Sequence, residues 1–273
     1  MSRSATVAIV GAGSIGRAMA LGLAASGRFR PGQIAVTRRT AGGLHDLGAQ
    51  GFLVLADNRD AVRRSDVIIV AVQPRQLDAV IREIAAELDG GRHVLISVVS
   101  GATIADITAH VGAGVAVVRA MPNTAIAVGR SMTCLAAAPE HAAALETAAE
   151  IFRTVGATMV IAEEHMIPAT ALCACGVAFF LRAVRAASQG GIEIGFHPEQ
   201  ALAMAAQTAL GAAALVLDRS SHPESEIDAV TTPRGCTITG LNEMEHQGFS
   251  SALIKGIVTS AAKAGELYSR GGG

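Results

Sequence analysis

The sequence predicts an α/β protein in which a doubly wound parallel sheet is followed by an all-helical part. Three observations predict this fold class. A glycine-rich turn over residues 11–16 joins an apolar strand to a helix. Continuous apolar strands then alternate with helical stretches, as in sheets that are buried on both faces. Beyond about residue 163, strand signals end and long alanine-rich helices remain.

Composition narrows the function classes before any motif is considered. The 273 residues are 51% hydrophobic but only 3% aromatic, and the net charge is −1. No electrostatic case therefore exists for a nucleic-acid or membrane partner. Neither a signal peptide nor an apolar run of about 18 residues is visible. The four cysteines form no C-x-x-C pair, so they indicate reduced thiols of a cytoplasmic protein, and we expect no metal site.

The first strand and the turn after it form a dinucleotide fingerprint. The apolar residues 6–10 run into Gly11, Gly13 and Gly16 with G-x-G-x-x-G spacing, and Gly27 can close the following helix. The three glycines allow the tight turn, the approach of a pyrophosphate and close helix–strand packing. Free N–H groups at the helix N-terminus favour an anion. The pattern predicts a Rossmann-type N-terminal domain.

The end of the second predicted strand, residues 34–36, indicates which dinucleotide binds. Thr37-Arg38-Arg39-Thr40 follows it, where an NAD-preferring site carries an acidic residue. Two guanidinium groups beside two hydroxyls suit a 2′-phosphate. We therefore expect NADP(H), with NAD(H) possible and FAD the weaker third choice. The alternative interpretation is a solvated basic turn.

The remaining elements follow in order. Further strands are predicted over residues 52–55, 67–72, 94–98, 115–118, 132–135 and 159–161, and helices over 76–88 and 140–153, with a short helix from residue 58. Thr103 can cap another helix, with Asp106 three residues on. Helices over 167–189, 198–217, 237–246 and 250–269 make up the second part, whose small side chains suit close packing across a subunit interface. The predicted domains are 1–163 and 164–273.

Several motifs beyond the fingerprint resemble the pyrroline-5-carboxylate reductase family over nearly the whole chain. The specific ones are Met121-Pro122-Asn123-Thr124 and Thr232-Pro233-Arg234-Gly235-Cys236-Thr237; 66–74, 96–101 and 209–212 are shared more widely. The resemblance implies NADPH-dependent reduction of the cyclic imine 1-pyrroline-5-carboxylate to L-proline, the last step of proline biosynthesis. It also implies a Rossmann domain, a helical dimerisation domain, an active site shared between subunits, and a homodimer that can assemble into a ring.

The resemblance also assigns site residues by position. The cofactor would be held by Gly11, Gly13, Ser14, Ile15 and Gly16 at the pyrophosphate, by Arg38, Arg39 and Asn58 at the adenosine, and by Ala71, Val72, Gln73, Pro74, Met121 and Pro122 towards the nicotinamide. The substrate would be bound by Asn123, Thr232, Gly235, Cys236 and Thr237. Thr237 is the catalytic candidate, because its hydroxyl at a helix N-terminus can donate to the substrate carboxylate or ring nitrogen. The alternative is that Thr237 only caps its helix.

The chain departs from the family at four places. Gln73 replaces the usual Lys, which removes one cation from the cofactor site. Residues 173–179, Cys-Ala-Cys-Gly-Val-Ala-Phe, replace the usual Ser-Gly-Ser-Gly-Pro-Ala-Tyr behind the substrate pocket. Arg234 stands where the family has Gly, as a cation for an acidic substrate or as a surface residue, and Cys236 where Thr or Ala is common. An arginine at a position that needs positive φ costs on the order of 1 kcal/mol.

These departures keep other functions open. A paralogue acting on a six-membered or substituted cyclic imine would explain residues 173–179. A non-catalytic dinucleotide-binding protein would explain the lost polar side chains, although Thr232 and Thr237 argue against it. A β-hydroxyacid dehydrogenase has a similar first domain but needs a catalytic Lys, and residues 165–176 offer none.

Overall fold

A computed structural model describes residues 5–39 and 41–268. The chain forms two compact units. The first unit runs to residue 175 and includes the residues from 259 onward, and the second unit comprises residues 176–258.

The first unit contains an eight-stranded sheet in the order β3-β2-β1-β4-β5-β6-β7-β8. Its strands are β1 (Val7–Val10), β2 (Ile34–Thr37), β3 (Leu53–Leu55), β4 (Val67–Val70), β5 (Val94–Ser97), β6 (Ala116–Met121), β7 (Ser131–Ala137) and β8 (Gly156–Val160). Strands β1 to β6 pair in parallel with one another, as predicted.

The sheet departs from the predicted parallel arrangement at one edge. Strand β7 pairs antiparallel to β6, and β8 pairs parallel to β7. Only residues 122–130 join β6 to β7, and a parallel crossover needs a dozen residues or more. A short turn at Thr124–Val128, followed by Gly129 in the left-handed region, reverses the chain instead.

Helices cover both faces of this sheet. They are α1 (Ser14–Ala25), α2 (His45–Ala49), α3 (Asn58–Arg63), α4 (Leu77–Ile84), α5 (Ile104–Val111), α6 (Ala142–Arg153) and α7 (Met166–Ala169). One buried cluster joins Ile9 and Ile69 to Met19 and Phe152, whereas Ile68 belongs to a separate cluster. Alternate strand residues thus supply two cores, and the predicted doubly wound Rossmann architecture is confirmed.

Local signals in the sequence explain where some of these helices begin and end. Thr103 Oγ1 accepts a hydrogen bond from the N–H of Asp106 at 3.1 Å, and the Asp106 carboxylate accepts the N–H of Thr103 at 2.8 Å. This is the predicted cap of α5. Gly27, with φ of +75°, follows the end of α1. The short α2 is not predicted, because five residues are too few to show a helical period.

Helix α7 continues into a π-helical turn at Thr170–Cys175. Met166 and Ala169 pack against Met121 and Ala136 of the sheet. Residues 164–175 therefore belong to the first compact unit. The domain limits of 1–163 and 164–273, which rest on a change of hydropathy pattern, stay a prediction.

The remaining helices are α8 (Gly176–Glu193), α9 (Pro198–Arg219), α10 (Pro223–Val230), α11 (Cys236–His246) and α12 (Phe249–Gly265). Helix α12 begins in the second unit, and its residues from 259 on belong to the first. Helix α10 is absent from the sequence prediction because its Pro-Glu-Ser-Glu start shows no apolar period.

The second unit buries few of its apolar side chains. Leu181, Leu210 and Leu217 are among the many that are largely exposed. A groove of about 1020 Å³ is lined by Phe180, Phe196, Met204, Met244 and Phe249 among others. Among the described residues, Glu163–Glu193 and Pro198–Arg219 are long and apolar enough to cross a membrane by length and composition alone. These two helices pass this test although the sequence has no uninterrupted apolar run of about 18 residues.

Candidate functional site

A cavity of about 690 Å³ follows the carboxyl edge of the parallel strands in the first unit. Ligands of doubly wound proteins bind at this edge, where the strand order reverses. The cavity is lined by eight of the predicted cofactor residues, namely Gly11, Gly13, Arg38, Arg39, Asn58, Ala71, Val72 and Gln73. The residues that follow β2, β1 and β4 therefore meet in one place.

The glycine-rich turn has the backbone that the fingerprint requires. Gly11 has a φ of +99°, and a Cβ there would lie 2.7 Å from the carbonyl oxygen of Ala71. The N–H groups of Gly11 and Ala12 donate to the carbonyl oxygen of Thr37 at 3.2 and 2.7 Å. The turn is thereby fixed between β2 and β4, and no residue other than glycine fits position 11.

The start of α1 lies next to the cavity, which is lined by Gly13 but not by Ser14, Ile15 or Gly16. Its N-cap is Gly13, which supplies no side-chain cap, and no acidic residue lies in the first turn. A Cβ at Gly13 would meet no atom within 4 Å, so the backbone there is open. The first N–H groups of α1, at Ser14, Ile15 and Gly16, are left without intrahelical partners. Backbone donors and helix dipole together suit a diphosphate.

The end of the cavity that is predicted to hold the adenosine carries two exposed arginines. No ion pair engages Arg38 or Arg39 within residues 5–39 and 41–268, so both guanidinium groups are available to a phosphate. Thr37 does not serve as the predicted phosphate donor. Its hydroxyl is buried and donates to Asn58 Oδ1 at 2.6 Å. Thr40, the other predicted hydroxyl, lies outside the described residues.

Asn58 is held by two neighbours rather than projecting freely. Besides accepting from Thr37, it donates from Nδ2 to Glu83 Oε2 at 3.0 Å. Glu83 also lines the cavity, next to Ala79 and Val80 of the same helix. The sequence analysis does not assign Glu83, because it lies 25 residues beyond Asn58 and nothing local connects the two.

The segment after β4 supplies a cation that the sequence analysis also misses. Ala71 donates its N–H to the carbonyl oxygen of Val10 at 2.8 Å, which places residues 71–73 beside the glycine turn. Arg75, exposed on the turn that follows Pro74, lines the cavity together with Gln76. Arg75 therefore brings a positive charge to the region where Gln73 replaces the family lysine.

Met121, the last residue of β6, and the following Pro122 and Asn123 do not line this cavity. Asn123 is buried and is used within the first unit. Its Oδ1 accepts the N–H of Ala125 at 3.1 Å, and its Nδ2 donates to the carbonyl oxygen of Cys173 at 3.3 Å. The amide thus connects the Met-Pro-Asn-Thr motif to the π-helical turn, so its substrate contact stays a prediction.

Arg119, two residues before Met121, is a buried cation. It is 3% exposed, and Nη1 donates to Glu163 Oε1 at 3.3 Å. The same oxygen accepts the N–H of Ile104 at the start of α5, at 2.6 Å. Burial lowers the pKa of Arg119, and the Glu163 carboxylate opposes this change. This ion pair fixes the start of α7 to β6 and α5.

The predicted substrate loop lies in the second unit, between α10 and α11. Gly235, not Thr237, is the N-cap of α11, and Thr237 is the second helical residue. The interpretation of Thr237 as the cap is therefore wrong, because the chain enters the helix two residues earlier. Thr232 accepts the N–H of Gly235 on its carbonyl oxygen at 2.9 Å. The Thr237 hydroxyl has no hydrogen-bond partner within the described part of the chain.

Two other observations complete this loop. Arg234 has a φ of +60°, which is the left-handed conformation that favours glycine. Thr239 Oγ1 donates to the carbonyl oxygen of Gly235 at 3.2 Å. The N–H groups of Cys236 and Thr237 lie in the first turn of α11 with neither a side-chain cap nor an acidic residue. The loop thus offers a hydroxyl and backbone donors to an anion. Within the described ranges, no cluster of three or more His, Cys, Asp or Glu could hold a metal.

Comparison with known proteins identifies the same family that the sequence motifs resemble. Residues 163–267 match the family model for pyrroline-5-carboxylate reductase dimerisation, and residues 6–101 match the model for NADP oxidoreductase, coenzyme F420-dependent. Pyrroline-5-carboxylate reductase 2 of Dictyostelium discoideum is 45% identical over 97% of this chain and 93% of its own length. Pyrroline-5-carboxylate reductase 1 of the same organism is 52% identical over 97% of this chain, which spans only 50% of that relative.

A solved structure agrees in fold. The pyrroline carboxylate reductase of Plasmodium falciparum, determined with NADP bound, superposes with a TM-score of 0.88 at 22% identity, over 97% of this chain and 98% of that one. By its sequence relatives over nearly its full length, the chain belongs to the pyrroline-5-carboxylate reductase family, whose members are oxidoreductases that act on a C=N bond.

Proposed function

We propose that this chain reduces 1-pyrroline-5-carboxylate to L-proline with NADPH, as the final step of proline biosynthesis. One observation carries the proposal: a cavity of about 690 Å³ is lined by Arg38 and Arg39, which make no ion pair within the described residues, and by the glycine turn that leads into α1. The family relationship supplies the substrate class.

The residues present fit NADP(H). Arg38 and Arg39 would bind the 2′-phosphate, since they are exposed, adjacent and free of ion pairs within the described residues. The N–H groups at Ser14–Gly16 would bind the pyrophosphate. Arg75 would replace the charge that is lost at Gln73. When bound, NADPH supplies the hydride for the C=N carbon.

The chain itself orients the substrate. Thr232, Gly235, Cys236 and Thr237 would bind the substrate carboxylate, because their turn offers backbone donors and the Thr237 hydroxyl, which has no partner among the described residues. A cyclic imine that enters in its protonated form needs no further acid, so the protein contributes position and exclusion of water. Thr237 would donate to the carboxylate or the ring nitrogen. Asn123 would act by holding the π-helical turn.

A paralogous cyclic imine remains the second candidate substrate. The specific observation is the π-helical turn at Thr170–Cys175, which contains the first three of the altered residues 173–179. Such turns are frequent at functional sites. Cysteine and phenylalanine side chains there make the segment less polar than the serine and tyrosine of the family, which would suit a larger or less polar ring.

We also propose that the helices of the second unit pair with a second copy of this chain. The exposed leucines and the apolar groove lie within the residues that match the dimerisation model. A homodimer, rather than a membrane, would then cover the two long apolar helices, and dimers would assemble into a ring as in the family. The four free thiols support a cytoplasmic location.

The cofactor assignment is tested by the double variant Arg38→Ala/Arg39→Ala. We expect the KM for NADPH to rise at least about tenfold, which corresponds to about 1.4 kcal/mol, while NADH kinetics barely change. Arg28→Ala, an exposed arginine outside the cavity, is the matched control. Equal losses with both cofactors would refute the 2′-phosphate clamp.

The substrate assignment is tested at Thr237. Thr237→Ala should lower kcat/KM for the imine roughly 10- to 100-fold, since a hydrogen bond to a charged partner contributes about 1.5–3 kcal/mol. Thr237→Ser should keep most activity. Thr239→Ala removes a hydroxyl of the same helix that bonds only to Gly235 within the described chain, so it serves as the control. Normal kinetics in Thr237→Ala would remove this residue from the site.

A further inference from the structure

Two cysteine side chains of the first unit are in contact. Cys134 lies on β7 and is buried, and Cys173 lies in the π-helical turn and is half-buried. Their Sγ atoms are 3.9 Å apart, within hydrogen-bond range for two thiols. Cys134 is also the cross-strand partner of Met121, the last residue of β6. The pair therefore lies next to the start of the Met-Pro-Asn-Thr motif, with Cys134 on the adjacent strand.

The two thiols have unequal reactivity. The hydrogen bond from Cys134 lowers the pKa of Cys173 to about 7, and burial acts in the opposite direction. The same contact, together with burial, raises the pKa of Cys134. A thiolate is the nucleophile in thiol oxidation, so Cys173, the more accessible of the two, reacts first. Cys134 is then the neighbouring thiol that can react with oxidised Cys173.

We propose that Cys134 and Cys173 form a reversible disulfide that inhibits the enzyme when a peroxide is present. The inhibition rests on the proposed reductase function, whereas formation of the disulfide does not. In the first step the Cys173 thiolate attacks a peroxide oxygen, which gives a sulfenic acid and releases hydroxide. In the second step the Cys134 sulfur attacks the sulfenic sulfur and water leaves, so two thiols are oxidised and one peroxide is reduced to two waters. A dithiol reverses the reaction by exchange.

The fold determines which partner moves when the bond forms. The sulfur atoms must come about 2 Å closer, because a disulfide bond is about 2 Å long. Strand β7 is hydrogen-bonded on both sides, to β6 and β8, so it stays in place. The π-helical turn is the part that yields. Its Cys173 carbonyl oxygen accepts the 3.3 Å hydrogen bond from Asn123, so a shift of the turn breaks that contact.

Loss of this contact couples oxidation to the site. Asn123 holds the turn at Thr124–Val128 and follows Met121 and Pro122, which are predicted to face the nicotinamide. Residues 173–179 are predicted to lie behind the substrate. A displaced π-helical turn therefore alters the substrate end, whereas Arg38 and Arg39 at the adenosine end stay unchanged. We expect a lower kcat with little change in NADPH affinity.

In the test, the full-length reduced protein is treated with hydrogen peroxide, and its disulfides are mapped by peptide mass spectrometry. Imine kinetics and NADPH binding by fluorescence are measured on the same samples. We expect a peptide linked through Cys134 and Cys173, an at least fivefold loss of kcat, and recovery with dithiothreitol. Cys134→Ser and Cys173→Ser, the latter restoring the family residue, should keep their activity under peroxide. Cys175→Ser, at a free thiol outside the pair, should respond like the unaltered protein.

Two results would overturn the proposal. One is the absence of the linked peptide after treatment. The other is an unchanged loss of activity in both Cys134→Ser and Cys173→Ser. If the untreated protein reduces no imine, the proposed function fails, but the linked peptide still decides whether the thiol pair reacts.

Discussion

Replacement of Arg234 by glycine should stabilise the protein. Arg234 has a φ of +60°, in the left-handed region, and a side chain with a Cβ pays about 1–2 kcal/mol there. Glycine removes that strain, but its greater backbone freedom stabilises the unfolded chain by about 0.5–1 kcal/mol. The expected net gain in the free energy of unfolding is therefore about 0.5–1 kcal/mol. For a chain of this size that is a rise in Tm of about 1–4 °C.

Thermal unfolding at one fixed protein concentration measures this change, because an oligomer makes Tm concentration-dependent. Arg234→Ala is the matched control, since it removes the guanidinium and keeps the Cβ strain. Imine kinetics on both variants separate charge from strain. If Arg234 binds an acidic substrate, both variants raise KM alike. A lower Tm for Arg234→Gly than for Arg234→Ala would refute the strain argument.

Three further substitutions test other contacts. Gly11→Ala should abolish detectable NADPH binding in a fluorescence titration, because its Cβ would collide with the Ala71 carbonyl at a φ of +99°; binding within twofold of normal would contradict the turn geometry. Tyr268→Phe should lower the free energy of unfolding in urea by about 1 kcal/mol, since the Tyr268 hydroxyl donates to Asp78 at 2.9 Å, and an unchanged midpoint would argue against that contact. Glu163→Gln should lower Tm by several degrees because it removes the carboxylate that pairs with the buried Arg119, and adding Arg119→Met should recover part of the loss; a double variant less stable than Glu163→Gln would contradict this.

The elements that sequence predicts well are those whose signal is local. Strand β4 is one apolar run, and α1 has its glycine turn before it and Gly27 after it. The cap formed by Thr103 and Asp106 is likewise readable from a spacing of three residues. Boundaries at these places agree with the structure within a few residues.

The features that sequence does not predict depend on pairing in space. The antiparallel direction of β7 follows from the short connection after β6, and that becomes visible only when the end of β6 is known. Glu83 and Arg75 join the cofactor cavity because α4 and the turn before it lie next to β4. The contact between Cys134 and Cys173 spans 39 residues and arises from the packing of α7 onto β6 and β7.

The most direct test of the proposed reductase activity is steady-state oxidation of NADPH by the purified chain. The substrates are 1-pyrroline-5-carboxylate and its six-membered homologue, and the product is identified. The proposal predicts that L-proline forms and that kcat/KM for the five-membered imine with NADPH exceeds by at least about tenfold both the value with NADH and the value for the larger ring. No NADPH oxidation with 1-pyrroline-5-carboxylate, or a higher kcat/KM for the six-membered imine, would contradict it.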